Sequence, residues 1–555
     1  MTKKQILFPL LVICLFIKAS ASTPCPDWAK NAVFYQIYPQ TFRDSNGDGV
    51  GDLPGITQKL DYVKSLGVDA IWINPFYKSP FRDAGYDVSD YYSVAPRYGT
   101  NEDAKRLFDK AHELGLKVII DFVPGHTSID HPWFKDSCKP TPNKHSNWYI
   151  WTDGTWFNGM DKYSSGFIQG YCERNGNYMT NFFWHQPALN YGWGDPDPEQ
   201  PWQLTVDNPD VLALRAEMVN VLRFWLNMGC DGFRIDMAGS LVKNDPNHRI
   251  LDFWHQVRTM LDVDYPEAFI VSEWSDPKVA LQDAFHADFL HWFPGYESLW
   301  TCEDAFFRSE GNGSITDFLK AWLPQYKATL GKGYISLPVG NHDLARIRRE
   351  NRDQRDVEQI FVFQFTMPNV PFIYYGDEIG MRQLDIVRNK EGCYGGRAGA
   401  RTPMQWQSKK PNLGFSSSNS DKLWMPMDDS EDAPTVSEEE HDDKSMLSFT
   451  RKLIALKKNC SALKPDAEFQ IVYAKANSYP FAFERNGDGQ RLLVVLNPSE
   501  RGQSFETDLQ GINGTVNLLF GSMPQFESTS DSKTKISIEA KAYAVLELLP
   551  NKAHK

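Results

Sequence analysis

Short apolar runs rich in β-branched and aromatic residues recur along the chain, and between many of them apolar positions return every three or four residues. The runs are Val33–Pro39, Ala70–Pro75, Lys117–Val123, Asp231–Asp236, Ala268–Trp274, Phe289–Phe293, Tyr334–His342 and Val370–Gly376. Their length and flanking Gly, Pro, Asn and Asp residues predict buried strands. The periodic stretches Asn101–Leu116 and Pro209–Gly229 predict helices, the second opening on Asn208-Pro209 and stopping at Gly229. Strands alternating with helices in this way predict an α/β fold of the (β/α)8 TIM-barrel type.

Two regions break the alternation. Residues 127–194 are rich in Trp, Asn, Gly and Pro with little helical periodicity, which predicts an irregular subdomain inserted after the third strand. From residue 468 the pattern changes to short alternating strands (Gln470–Ala474, Leu492–Leu496, Thr515–Leu519, Ala542–Leu548), which predicts a small all-β domain over 468–555. The barrel is then built from residues 22–126 and 195–467, closed by a helix at Ser445–Lys458. The acidic stretch Asp428–Lys444 reads as a solvated loop.

The N-terminus reads as an export signal over 1–21: Lys3 and Lys4 precede the apolar run Ile6–Ile17, and Ala19-Ser20-Ala21 offers a cleavage site. The run is shorter than the ~18 apolar residues of a membrane span, and no later segment is longer, so no integral membrane segment is expected after cleavage. The expected location is secreted or extracellular, or periplasmic in a Gram-negative host. Cys138 and Cys172 could bridge within the inserted region, while Cys230 is expected to be a free thiol. A net charge of −13 has the wrong sign for nucleic acid or an anionic lipid surface, so neither is an expected partner.

Reacting groups of a barrel come from the C-terminal ends of different strands. Asp236 ends the fourth run, Glu273 stands at the end of the fifth and Asp343 follows the seventh, with Arg234, His126 and His342 nearby in sequence. A single acid at a strand end is commonly a cap or a loop ion pair. Three on one rim would repel one another and resist desolvation, which argues for a function that requires them. Clustered carboxylates without a zinc-ligand spacing suit glycoside hydrolysis, in which one carboxylate attacks the anomeric carbon and another protonates the leaving oxygen.

The segments Asp121–His126, Gly232–Asp236, Ser272–Trp274 and Asn341–Asp343 resemble, in order and spacing, the four sequence regions of glycoside hydrolase family 13, the α-amylase superfamily. Tyr35–Pro39, Asp83–Val88 and Gly376–Gly380 also look like family segments, so the resemblance spans nearly all of the chain after residue 21. It implies that Asp236 is the nucleophile, Glu273 the acid/base and Asp343 the carboxylate that holds sugar hydroxyls in the transition state. It further implies that Arg234 keeps the nucleophile ionised, that His126 and His342 bind hydroxyls of the first sugar, and that Tyr86 stacks on its ring. Asp83 with Arg346 would grip the non-reducing end, as in exo-acting α-glucosidases. The expected substrate is therefore a small oligosaccharide, with an endo-acting α-amylase, a transglycosylase or a sugar isomerase as alternatives.

His185–Asn190 and Arg401–Trp406 resemble the α-glucosidase and oligo-1,6-glucosidase branch, although Ala188, Gly125 and Met237 depart from its usual residues. Only 37 positions separate Asp236 from Glu273 (273 − 236), a short span that points to a trimmed loop on the leaving-group side. Asp44, Asn46, Asp48, Val50 and Asp52 place oxygen ligands at alternate positions around Gly49. Gly55 stands where an EF-hand has Glu, but the loop resembles the family's calcium loop. It implies a structural Ca2+, with no cofactor for catalysis.

Overall fold

Eight parallel strands form the centre of the molecule: β1 (Phe34–Ile37), β2 (Ala70–Ile73), β3 (Lys117–Phe122), β4 (Gly232–Ile235), β5 (Phe269–Ser272), β6 (Ala287–Phe289), β7 (Tyr334–Ser336) and β8 (Phe372–Tyr374). This computed structural model describes residues 25–549 except 157–165, 292, 301–304, 309–313, 350–351, 387–389, 394–395, 510–511, 513–514 and 530–532. The expected signal segment lies outside the described residues.

The strands hydrogen-bond in the order β7-β6-β5-β4-β3-β2-β1-β8. The seam between β7 and β8 closes through the Val370 amide donating to Ile335 O (3.1 Å) and Ser336 Oγ donating to Val370 O (2.9 Å). The result is a TIM barrel. Helices such as Leu53–Ser65, Asn101–Glu113, Pro209–Met228, Ile250–Asp264 and Gln354–Thr366 cover its outside, so both faces of the strands are buried and the sequence reads as near-continuous apolar runs. Phe34, Trp72, Phe269, Phe289 and Phe372 fill the interior, with Phe34 stacked on Phe372 at 4.3 Å. This packed floor leaves the reacting side chains only the C-terminal rim.

Two strands depart most from their expected bounds. β6 begins at Ala287, ahead of the expected Phe289, because it carries the buried Asp288, whose carboxylate accepts from Ser272 Oγ (2.6 Å) and the Trp274 amide (3.1 Å). A charged residue inside a strand hides that strand from an apolar pattern. β7 stops at Ser336, and the Leu337 amide is taken instead by the Asn369 side chain (2.7 Å).

Between β3 and β4 lies an irregular region with a hairpin, Phe167–Gln169 against Asn177–Met179, packed around Phe134, Tyr149, Trp151 and Tyr178. Cys138 and Cys172 are neighbouring thiols there, and Cys230 is a buried thiol. The C-terminal strands form a five-stranded and a three-stranded antiparallel sheet around their own core. In the acidic stretch, Asp428 and Asp432 both pair with Arg382, so part of it is fastened down. Among the described residues no helix is long and apolar enough to cross a membrane.

Candidate active site

The ends of β3, β4 and β5 bring their polar residues together through the ladder itself. The Asp236 amide donates to Phe122 O and the Glu273 amide to Ile235 O, both at 2.9 Å. Gly232 makes the approach of β4 to β5 feasible: its φ is +147°, and a Cβ there would sit 1.8 Å from Phe269 O. Arg234, two residues before Asp236 and on the same strand face, is fully buried and reaches Asp121 Oδ1 (2.8 Å), Asp236 Oδ1 (2.9 Å) and Glu273 Oε2 (2.8 Å). One guanidinium thus fixes three carboxylates. Met237, next in the chain, has φ +45°, strain of the kind stored at functional sites, and its amide donates to Glu273 Oε2 (3.2 Å).

Asp343 enters from beyond β7. Asn341 Oδ1 accepts the amides of Asp343 and Leu344, each at 2.8 Å, fixing this turn. The Asp343 carboxylate pairs with Arg401 (2.9 Å) and Arg397 (3.1 Å) and lies 3.2 Å from His342. Burial would raise it, but His342, Arg397, Arg401 and Arg234 together hold it well below the usual carboxylate range.

Asp121, Asp236, Glu273 and Asp343 act on one another and cannot all ionise with equal ease. Burial pushes Asp236 well up, opposed by Arg234 and reinforced by Glu273, Asp121 and Asp343. At Glu273 burial is outweighed by Arg234 and by His291, 3.4 Å away, which hold it at about 2. These carboxylates therefore titrate as one coupled set around Arg234.

Asp236, Glu273, Asp343, Asp83, Tyr86 and His126 open on a single cavity of about 700 Å3, with Met237, Phe182, Trp274, Arg397 and Arg401 also in its wall. His126 donates from Nε2 to Tyr86 O (3.1 Å) and accepts at Nδ1 from Asn181 (3.0 Å); burial lowers it to about 3, so its ring is neutral. His342 lies beneath Tyr86, stacked at 5.3 Å, its Nδ1 taken by Gln36 and its Nε2 at 2.6 Å from the Tyr86 hydroxyl. That hydroxyl donates to Asp121 Oδ2 (3.0 Å). Asp121 therefore carries both Arg234 and Tyr86, a role that the sequence analysis did not assign it.

The expected pairing of Asp83 with Arg346 requires correction. Arg346 is wholly buried away from the cavity, bonded to Asp377 Oδ1 and Tyr375 O, each at 2.8 Å, and packed against the rings of Tyr374 and Tyr375. The turn after Asp343 sends its side chain back toward the end of β8. Arg401, in the same cavity wall, is the arginine whose charge acts on Asp83. Burial raises Asp83 to about 6, and the chief group opposing this is Arg401, with Gln186 donating to its Oδ2 at 2.7 Å. The family-like segment at Arg401 was the available signal, but nothing in its spacing indicates that it meets Asp83.

In the loop after β1, Asp44 accepts the amides of Asn46, Gly47 and Gly49 and the Ser416 hydroxyl, Asn46 accepts the Asp48 amide, and Asp48 accepts the Val50 amide. Asp52 accepts from Ser45 and from the Gly55 amide; burial, with Asp44 adding to it, raises its carboxyl. Two neighbouring buried carboxylates in an oxygen-rich loop suit a divalent cation. Among the described residues no three His, Cys, Asp or Glu side chains converge as a cage, so the Asn46 amide oxygen and the Val50 carbonyl would have to complete the ligand set.

The alpha amylase catalytic-domain family model matches residues 36–466. The α-glucosidase of Apis mellifera is 30% identical over 97% of this chain and 98% of its own length. The trehalose synthase/amylase of Mycobacterium tuberculosis is 31% identical over 89% of this chain and 86% of its own. A solved trehalulose synthase variant in complex with Tris superposes with a TM-score of 0.77 at 26% identity, over 94% of this chain and all of that one.

Proposed function

The chain belongs to the α-amylase family of glycoside hydrolases, and we propose that within it the protein is a retaining α-glucosidase that removes glucose from the non-reducing end of short α-glucosides. The observation that carries this reading is the single cavity shared by Asp236, Glu273, Asp343 and Asp83, whose Asp83 end is backed by the Gly392 backbone. On this reading a chain of sugars stops at that end.

Asp236 attacks the anomeric carbon while Glu273 protonates the glycosidic oxygen; Glu273 then deprotonates the water that releases glucose with its α configuration kept. Arg234, 2.9 Å from the Asp236 carboxylate, favours the anion that attacks, and positive charge developing on the sugar favours it further. Asp343, held ionised by its arginines, accepts sugar hydroxyls, and Tyr86 presents its ring face.

The test is a panel of maltose, isomaltose, sucrose, trehalose and starch with product identification. Free glucose from the disaccharides ahead of starch supports the reading; rapid loss of starch viscosity with little glucose overturns it. Rearranged disaccharide in place of glucose would mark transfer instead of hydrolysis.

We also propose that the 44–52 loop holds a structural Ca2+ and that the protein is exported. A chelator should lower the melting temperature and added Ca2+ restore it. The mature protein from its own host should begin at Ser22; an intact Met1 terminus would overturn export.

A further inference from the structure

Behind Asp83 the chain makes a tight turn over residues 390–393, in which the Cys393 amide donates to Lys390 O (3.0 Å). Both central residues have positive φ, +50° at Glu391 and +73° at Gly392, the geometry of a type I′ turn. Gly392 suits it, but Glu391 does not, since a long side chain in the left-handed region is strained. Its carboxylate shows what holds it there: Oε2 accepts from Arg97 NH1 (2.9 Å), Trp424 Nε1 (2.8 Å) and Gln40 (3.4 Å), and Oε1 accepts from Arg97 NH2 (3.4 Å). Arg97 is anchored in turn on the Phe81 ring at 3.5 Å and on Gln40 Oε1 at 2.9 Å.

The consequence falls on Asp83. The Gly392 backbone lies so close that an added Cβ would stand 2.2 Å from Asp83 Oδ1. The other carboxylate oxygen is held by Gln186, so Asp83 is clamped from two sides. Cys393 Sγ, closing the turn, lies 3.4 Å from Arg401 NH1, which ties the same turn to the arginine between Asp83 and Asp343.

We propose that Glu391 is a positioning residue for substrate selection: its carboxylate, gripped by Arg97, Trp424 and Gln40, holds a strained turn whose Gly392 backbone fixes Asp83 and walls off the first sugar subsite. This rests on the exo-acting reading above and names the device that enforces it. The turn supplies no reacting group, so its loss acts on which sugar ends are accepted and how tightly, leaving the carboxylates at the strand ends in place.

The test compares p-nitrophenyl α-glucoside with a p-nitrophenyl maltooligosaccharide whose non-reducing end is chemically blocked. Wild-type protein should cleave the first and reject the second. Glu391→Ala should raise KM for the glucoside about tenfold with kcat within about threefold, and should begin to cleave the blocked substrate. Gly392→Ala, which pushes a methyl group onto Asp83, should raise KM similarly while still rejecting the blocked substrate. Wild-type cleavage of the blocked substrate would overturn the exo-acting reading and the wall with it. Wild-type rejection, with Glu391→Ala unchanged in KM and selectivity, would overturn the wall alone; should Glu391→Ala not fold, an unchanged KM in Gly392→Ala does the same.

Discussion

The half of the cleft carried by β4 and β5 and the half carried by loops are built differently. Asp236, Glu273 and Arg234 stand on adjacent parallel strands, and two ladder hydrogen bonds set their relative positions. Asp83, Arg401, Asp343 and the 390–393 turn come from separate loops and meet only because long-range ion pairs and hydrogen bonds hold them. On the proposed mechanism the strand-borne half carries the nucleophile and the acid/base, and the loop-borne half adds Asp343 and the groups that select the substrate.

Substitution can break that division of labour. Asp236→Asn is expected to cut turnover about ten-thousandfold with the fold intact, since on the proposed mechanism it removes the nucleophile and no packing; circular dichroism and single-turnover kinetics check it. Arg401→Ala, which strips Asp343 of an ion pair and Asp83 of its main opposing charge, is expected to lower kcat/KM about a hundredfold, more through KM than any change on β4 or β5.

The two halves should also separate by pH. Asp83, raised to about 6 by burial against Arg401, is ionised above that pH and takes up a proton below it. KM for a glucoside should therefore rise as pH falls through about 6, and this limb should vanish in Asp83→Asn. The smallest effect on substrate use is expected at Arg346: Arg346→Met leaves Asp377 buried and unpaired, which costs about 3–5 kcal/mol of stability while KM on the folded protein stays within about twofold. A large KM change there would return Arg346 to the sugar subsite.

The sequence made the rigid half legible because an acid ending an apolar run keeps a fixed register to its strand. Asp236 and Glu273 stood out as candidates by that rule, and the barrel by the alternation of runs with helices, while the roles of Asp236, Glu273 and Arg234 came from the family resemblance. It hid what depends on contacts between distant segments. Asp121 reads as one more strand residue until Trp72, Tyr86 and Arg234 are seen bonded to it. Arg346 and Arg401 both stand near family-like segments, and only the folded loops show which one faces Asp83. Glu391 carries no sequence signal at all, since its role follows from a positive φ and three donors drawn from far along the chain.

The most direct measurement is 13C NMR of maltotriose labelled at C1 of its non-reducing glucose, followed through the first minutes of reaction. If the strand-borne carboxylates act by double displacement and the loop-borne wall admits only a chain end, the label appears as free α-glucose before it equilibrates. Label arriving first as β-glucose would contradict the retaining roles of Asp236 and Glu273, and label remaining in maltose would contradict release from the non-reducing end.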